Sequence, residues 1–221
     1  DHSFVPEANP EKRSPCPALN ALANHGYIPR SGTEITFSHL LHAVKDVYNL
    51  SLPLAFLLTV AGYATCAKFS LHTMSWKLNL ADLSARGWNK IAHDASLVHP
   101  SGIPSHTPDL ALLENLLSAA SRPRSPGMTL EGLAVVHAAR ARNLPRPLSG
   151  FHAQVAFGEC ALGWLVMRNA QTGVIEVGTL EQWFGEERLP KGWQEDSSRP
   201  GNSVGLLQAR KTAGQVQEYV K

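Results

Sequence analysis

Apolar residues recur along this chain mostly at helical spacing. Thr36 can cap a helix running to about Asn49, with Phe37, Leu40, Leu41, Val44 and Tyr48 on one face. The stretch from Leu52 to Ala67 is the most apolar in the sequence, broken by Pro53, Thr59, Gly62 and Thr65. It predicts a largely buried helix from Pro53 to about Phe69, too short and too interrupted to span a membrane. Asp109 to Ala120 reads as a helix, Thr129 caps another to about Asn143, and Ser149 opens a long one to Met167. A short helix is expected over 180–187, and the tail after Gly201 is partly helical. Near the start, Pro17 suits the first position of a helix ending near Asn24, with Gly26 free to take the left-handed conformation that closes it. Val174-Ile175-Glu176-Val177 is the best strand candidate and has no evident partner. Residues 1–14 read as an extended arm and residues 71–101 as loop-rich. No repeat or linker divides the sequence. The expectation is a mainly α protein with little or no sheet, one domain over residues 1–221.

Composition narrows the function. With 221 residues and 43% hydrophobic content, the chain can bury a substantial core. A formal charge of +2, with Lys and Arg scattered, forms no basic stripe for nucleic acid. Three cysteines cannot all pair within one chain. Cys66 and Cys160 fall inside expected helices, where a free cysteine acts as a small apolar filler. Asn49-Leu50-Ser51 is the single glycosylation sequon, and a start on Asp1-His2-Ser3 reads as processed. Both point to a mature chain secreted after signal-peptide removal.

Three places carry candidate chemistry. Cys16, between Pro15 and Pro17, sits where helix N–H groups and the helix dipole favour a thiolate; the alternative is a small buried cap. Glu159 lies in the apolar run Val155-Ala156-Phe157-Gly158-Glu159-Cys160-Ala161-Leu162. It must reach solvent, find a partner, or hold a raised pKa, because a lone buried carboxylate costs several kcal/mol. Gly158 beside it lets something bulky approach the helix. His93-Asp94 is either a hydrogen-bonded turn or, if His93 meets Glu159, half of an acid–base couple. The other histidines show no zinc-ligand spacing.

Pro15-Cys16-Pro17, then His93-Asp94 with Ser96, then Phe157-Gly158-Glu159 resemble the fungal haem-thiolate peroxidases. The similarity is to the short-chain unspecific peroxygenases and the related chloroperoxidase. This resemblance implies a single helical domain enclosing haem b, with Cys16 as the iron ligand and Pro17, Ala18 and Leu19 around it. It makes Glu159 the acid–base residue and His93 its partner. The implied reaction is hydrogen-peroxide-dependent oxygen transfer through a ferryl-oxo radical: C–H hydroxylation, epoxidation and aromatic oxygenation. The implied partners are hydrogen peroxide and small hydrophobic organic substrates, for a monomer or homodimer. Haloperoxidase or one-electron peroxidase chemistry is the alternative, with a non-enzymatic haem-binding protein behind it. Val155, Ala156, Leu162, Leu57, Val60, Ala61 and Trp88 are candidate substrate-pocket residues, each with core packing as its alternative. In the family a glutamate, the histidine carbonyl and a serine hold magnesium. This chain has Ala92 at the glutamate position, leaving His93 and Ser96, so magnesium stays an alternative rather than an expectation.

Overall fold

The computed structural model describes residues 1–121, 127–193, 196 and 199–221. Helices dominate. Cys16 is the extended N-cap of α1 (Pro17–Asn24), Pro17 takes the first turn as expected, and Gly26 at φ +71° closes the helix. The α2 helix (Phe37–Val47) starts where the Thr36 hydroxyl accepts from the His39 N–H at 3.3 Å. Similar side-chain caps open α4 (Leu110–Ala120) from Asp109, α5 (Leu130–Arg142) from Thr129 and α6 (Gly150–Met167) from Ser149. Each such cap contributes about 1 kcal/mol to its helix. A short α7 (Val177–Leu180) runs into a π turn, Glu181–Gly185, and α8 (Leu206–Val220) ends the chain.

The core forms where α8 packs on α5 and α6, α5 on α6, and α4 on α5 and the π turn. Leu116, Leu133, Leu165, Ile175 and Leu180 are fully enclosed there. A helix with neighbours on several sides has no solvent stripe, and α6 is correspondingly apolar around much of its girth. The second layer is α2 against α3 (Leu52–Cys66), with α1 lodged against the π turn. The N-terminal arm lies along α1: the Val5 N–H reaches the Asn24 carbonyl at 2.9 Å, and the His2 ring stacks on Tyr27.

Three expectations need correction. Residues 174–177 form no strand: Ile175 makes a single bridge to Met128 and Val177 already begins α7. With one β partner residue, a ladder cannot propagate. The apolar helix stops at Cys66, and Lys68–Ser70 (β1) pairs antiparallel with Ser75–Lys77 (β2). Finally, α3 is not largely buried. Leu54, Ala55, Thr59, Gly62 and Cys66 face the protein, whereas Leu52, Phe56, Leu57, Leu58 and Val60 are exposed.

Candidate active site

The segment around Cys16 is pinned by a buried polar network. The Cys16 N–H donates to the Ser14 hydroxyl at 3.2 Å. Ser14 donates through its N–H and its hydroxyl to Asn20 Oδ1, at 2.9 and 3.0 Å. Asn20 Nδ2 returns a bond to the Ser14 carbonyl at 2.7 Å and donates to Glu187 Oε1 at 2.6 Å. Arg13 grips Asn24 Oδ1 with Nε and Nη2 at 3.0 and 2.7 Å, and the Tyr48 hydroxyl donates to the Ala18 carbonyl at 2.6 Å. The first turn of α1 is therefore held from several directions. Burial pushes the Cys16 thiol up to about 12, against the pull of the Leu19 and Ala18 N–H groups, and the Glu159 and Glu187 charges add to the rise. The two backbone N–H groups pull toward the thiolate, as read from sequence, and desolvation pulls the other way.

On α6, Glu159 finds its partner. His93 Nε2 lies 3.0 Å from Glu159 Oε2, and His93 Nδ1 lies 2.6 Å from the Asp94 carbonyl. Burial pulls the imidazole down, but the Glu159 charge and hydrogen bond, with the Asp94 carbonyl, carry it up to about 9. Burial pushes Glu159 up, yet His93, helped by His137 and His99, brings it below the ordinary carboxylate range. The couple is thus an imidazolium donating to a carboxylate, and Glu159 does not have the raised pKa weighed from sequence. Its side chain is 55% exposed while that of His93 is 3% exposed. A Cβ built on Gly158 meets nothing within 4 Å, so α6 borders open space here. Cys16 lies within the field of Glu159, which places thiol and carboxylate about one region of the protein.

The loop bearing His93 is braced independently. Arg86 donates to the Asp94 carboxylate, to the Ile103 carbonyl at 2.8 Å, to the Pro100 carbonyl at 3.3 Å and to the His93 carbonyl at 3.5 Å. Ala95 takes φ +61°, its N–H donates to the Ser101 hydroxyl at 3.0 Å, and its carbonyl accepts from His137 Nδ1 at 3.0 Å. His152, one face of α6 along, donates to the Lys90 carbonyl at 3.0 Å.

Comparison with known proteins decides the family, because the model for "Peroxidase, family 2" matches residues 2–198. The chain belongs to that family, the fungal haem-thiolate peroxidases. An aromatic peroxidase of Fusarium equiseti is 43% identical over 63 residues, 28% of this chain and 14% of its own length. A chloroperoxidase of Leptoxyphium fumago is 41% identical over 75 residues, 29% of this chain and 20% of its own. An aromatic peroxygenase of Coprinellus radians is 39% identical over 51 residues, 23% and 19% respectively. The matched segments thus span a fifth or less of these relatives' own lengths.

Family membership implies a haem cofactor, and the residues present fit one. Cys16 offers a soft sulphur donor on which N–H groups act, and α6 is open at Gly158 beside an ionised carboxylate. Magnesium does not fit. Ala92 supplies no charge, and the Arg86 guanidinium already stands at the His93 carbonyl and neutralises Asp94. Ser96 is half-buried beside it. Among the described residues, no three His, Cys, Asp or Glu side chains converge as a metal cage.

The pocket residues divide. Val155 and Leu162 sit half-buried one turn either side of Glu159. Ala156 is buried and Trp88 is 90% exposed. Leu57 and Val60 are exposed on α3 and Ala61 is half-buried. Asn49 is half-buried in a left-handed turn, its amide directed at the Pro200 and Gly201 carbonyls. Cys66 and Cys160 are free and buried, and burial with the Glu159 charge raises the Cys160 thiol well above its ordinary range. Sequence reasoning missed Arg86, His99, His137 and Glu187. None carries a local motif, and only their tertiary partners reveal them.

Proposed function

We propose that this chain is a hydrogen-peroxide-dependent oxygenase of the unspecific peroxygenase type, acting on small hydrophobic organic molecules. The observation that carries the reading is the His93–Glu159 ion pair at the open flank of α6, within reach of the Cys16 field. Haem b, ligated by Cys16 with the backbone of Pro17, Ala18 and Leu19 around the sulphur, would supply the O–O cleavage and the oxidant that transfers oxygen. Glu159 is ionised near neutrality and so is ready to accept the first proton of hydrogen peroxide. With the haem bound as acceptor of the other peroxide oxygen, the same carboxylate would hand that proton to the departing oxygen, which would leave as water. His93 holds the carboxylate in place and keeps it ionised between turnovers, and its own Nδ1–H is fixed on the Asp94 carbonyl. Val155 and Leu162, with Leu57, Val60 and Ala61, offer aliphatic surface to a substrate that cannot hydrogen-bond. The arm, helices and hairpin act in this reading as one domain, secreted, as a monomer or homodimer. No helix among the described residues is long and apolar enough to cross a membrane.

The similarity to a chloroperoxidase favours halide oxidation as a second reading. Labelled peroxide separates the two. With an alkane substrate, label is expected in the alcohol; chlorinated product with unlabelled alcohol would overturn the oxygenase reading. Thiolate ligation is read separately from the ferrous–carbon monoxide spectrum, where a strongly red-shifted Soret band is expected and must vanish in Cys16→His.

A further inference from the structure

The hairpin β1–β2 is an amphipathic ribbon whose apolar side is largely uncovered among the described residues. Phe69 and Trp76 stand directly opposite each other, rings 5.8 Å apart and edge-on, while Lys68 faces Lys77 and Ser70 faces Ser75 on the alternate positions. Phe69 is 45% exposed, Trp76 60%, and at the tip Leu71 is 79% and Met74 72% exposed. The base is anchored: Lys68 pairs with Asp82 at 2.6 Å, and Leu78 bridges Ile35 just beyond β2. The tip therefore projects from a fixed root. Lys90 ties the neighbouring loop, with its exposed Trp88, to the Thr65 carbonyl at the end of α3.

Charge and area say what covers this surface. No Asp or Glu stands between Asp46 and Asp82, and across α3 and the hairpin the Lys, Arg and His residues are Lys68, His72 and Lys77 alone. The four apolar side chains of the ribbon, two on its strands and two at its tip, present roughly a few hundred Å², short of the roughly 800 Å² per partner that a stable protein interface takes. A narrow apolar wedge bearing Trp, with lysines on its flank, matches a lipid headgroup boundary. There the rings sit among acyl chains and the ammonium groups stay with anionic phosphate. We infer that the Lys68–Lys77 hairpin inserts into the surface of anionic lipid bilayers and holds the protein there without spanning them.

The test is flotation of the haem-loaded full chain with phosphatidylcholine vesicles, made with and without one-third phosphatidylserine. Strong flotation is expected with phosphatidylserine and weak flotation without it, falling as salt is raised. Leu71→Ser with Met74→Ser should weaken binding at least tenfold on both vesicle types, roughly as two lost apolar side chains dictate. Lys68→Gln and Lys77→Gln should each cost about fivefold, on phosphatidylserine only. In the unsubstituted protein, vesicles should slow amide hydrogen exchange in residues 68–77. Absence of flotation, equal binding by the serine variant, or unchanged exchange would overturn the proposal. A dimer in sedimentation that the same serine substitutions dissolve would also overturn it, assigning the ribbon to a second copy of the chain.

Discussion

Near neutrality Glu159 is a carboxylate because an imidazolium lies 3.0 Å away, and this one contact sets its acid–base behaviour. Glu159→Gln removes the proton acceptor and should lower kcat roughly 100- to 10,000-fold while the thiolate spectrum persists. His93→Gln removes the cation that depresses Glu159, so the carboxylate rises from its lowered value and the acid limb of kcat/KM moves to higher pH. A pH profile reads this directly. Glu187 offers a contrasting titration. Burial holds it up at about 7, against Asn20 and Arg13, so the fold penalises its ionised form. Its contribution is most favourable below the unfolded carboxylate value and is lost as pH rises through about 7. Urea denaturation of Glu187→Gln should show a smaller stability loss between pH 5 and 8 than the parent, where both numbers are approximate bounds of that window. If parent and variant keep the same pH slope, the Glu187 assignment fails.

At the scale of elements, α6 carries the chemistry because its two ends are fixed and its middle is open. Ser149 caps it and α5 and α8 clamp it, while Gly158 faces empty space beside Glu159. Gly158→Ala should therefore stabilise the protein by up to about 1 kcal/mol in urea titrations, since it adds helix propensity without a clash. Gly158→Phe should fold as well and lose turnover of bulky substrates far more than of small ones; equal losses across substrate sizes would remove Gly158 from the open flank. The helix starts were legible: Thr36 and Thr129 cap as read, and Asp109 and Ser149, read as the opening residues of their helices, prove to be their caps, because a side-chain oxygen meeting a free N–H is a local event. The hairpin was not legible. Residues 66–77 contain no Gly or Pro to mark its turn, and the apolar run continues past Cys66 into Phe69 and Leu71.

Across the whole molecule, Arg86 joins segments that are distant from the catalytic helix yet determine where His93 stands. Its guanidinium meets Asp94, His93, Pro100 and Ile103, doing the neutralising work that a divalent cation would otherwise do. Chelators should neither lower Tm nor slow turnover, and magnesium should restore nothing. Arg86→Ala should cost roughly 2 kcal/mol, because carbonyls and a carboxylate lose their donor together. Loss of activity on chelation would show that the site takes a metal after all. The sequence by itself determined the helical class and the helix starts, and it singled out Cys16, His93 and Glu159 as the residues proposed to carry the chemistry, since periodicity, capping and motif order are local properties. Tertiary structure alone decided their state. Burial raised the Cys16 thiol against the pull of its helix N–H groups, and a histidine 66 positions away kept Glu159 ionised. Desolvation and Coulomb interaction depend on what surrounds a group in space, and the order of residues along a chain does not contain that.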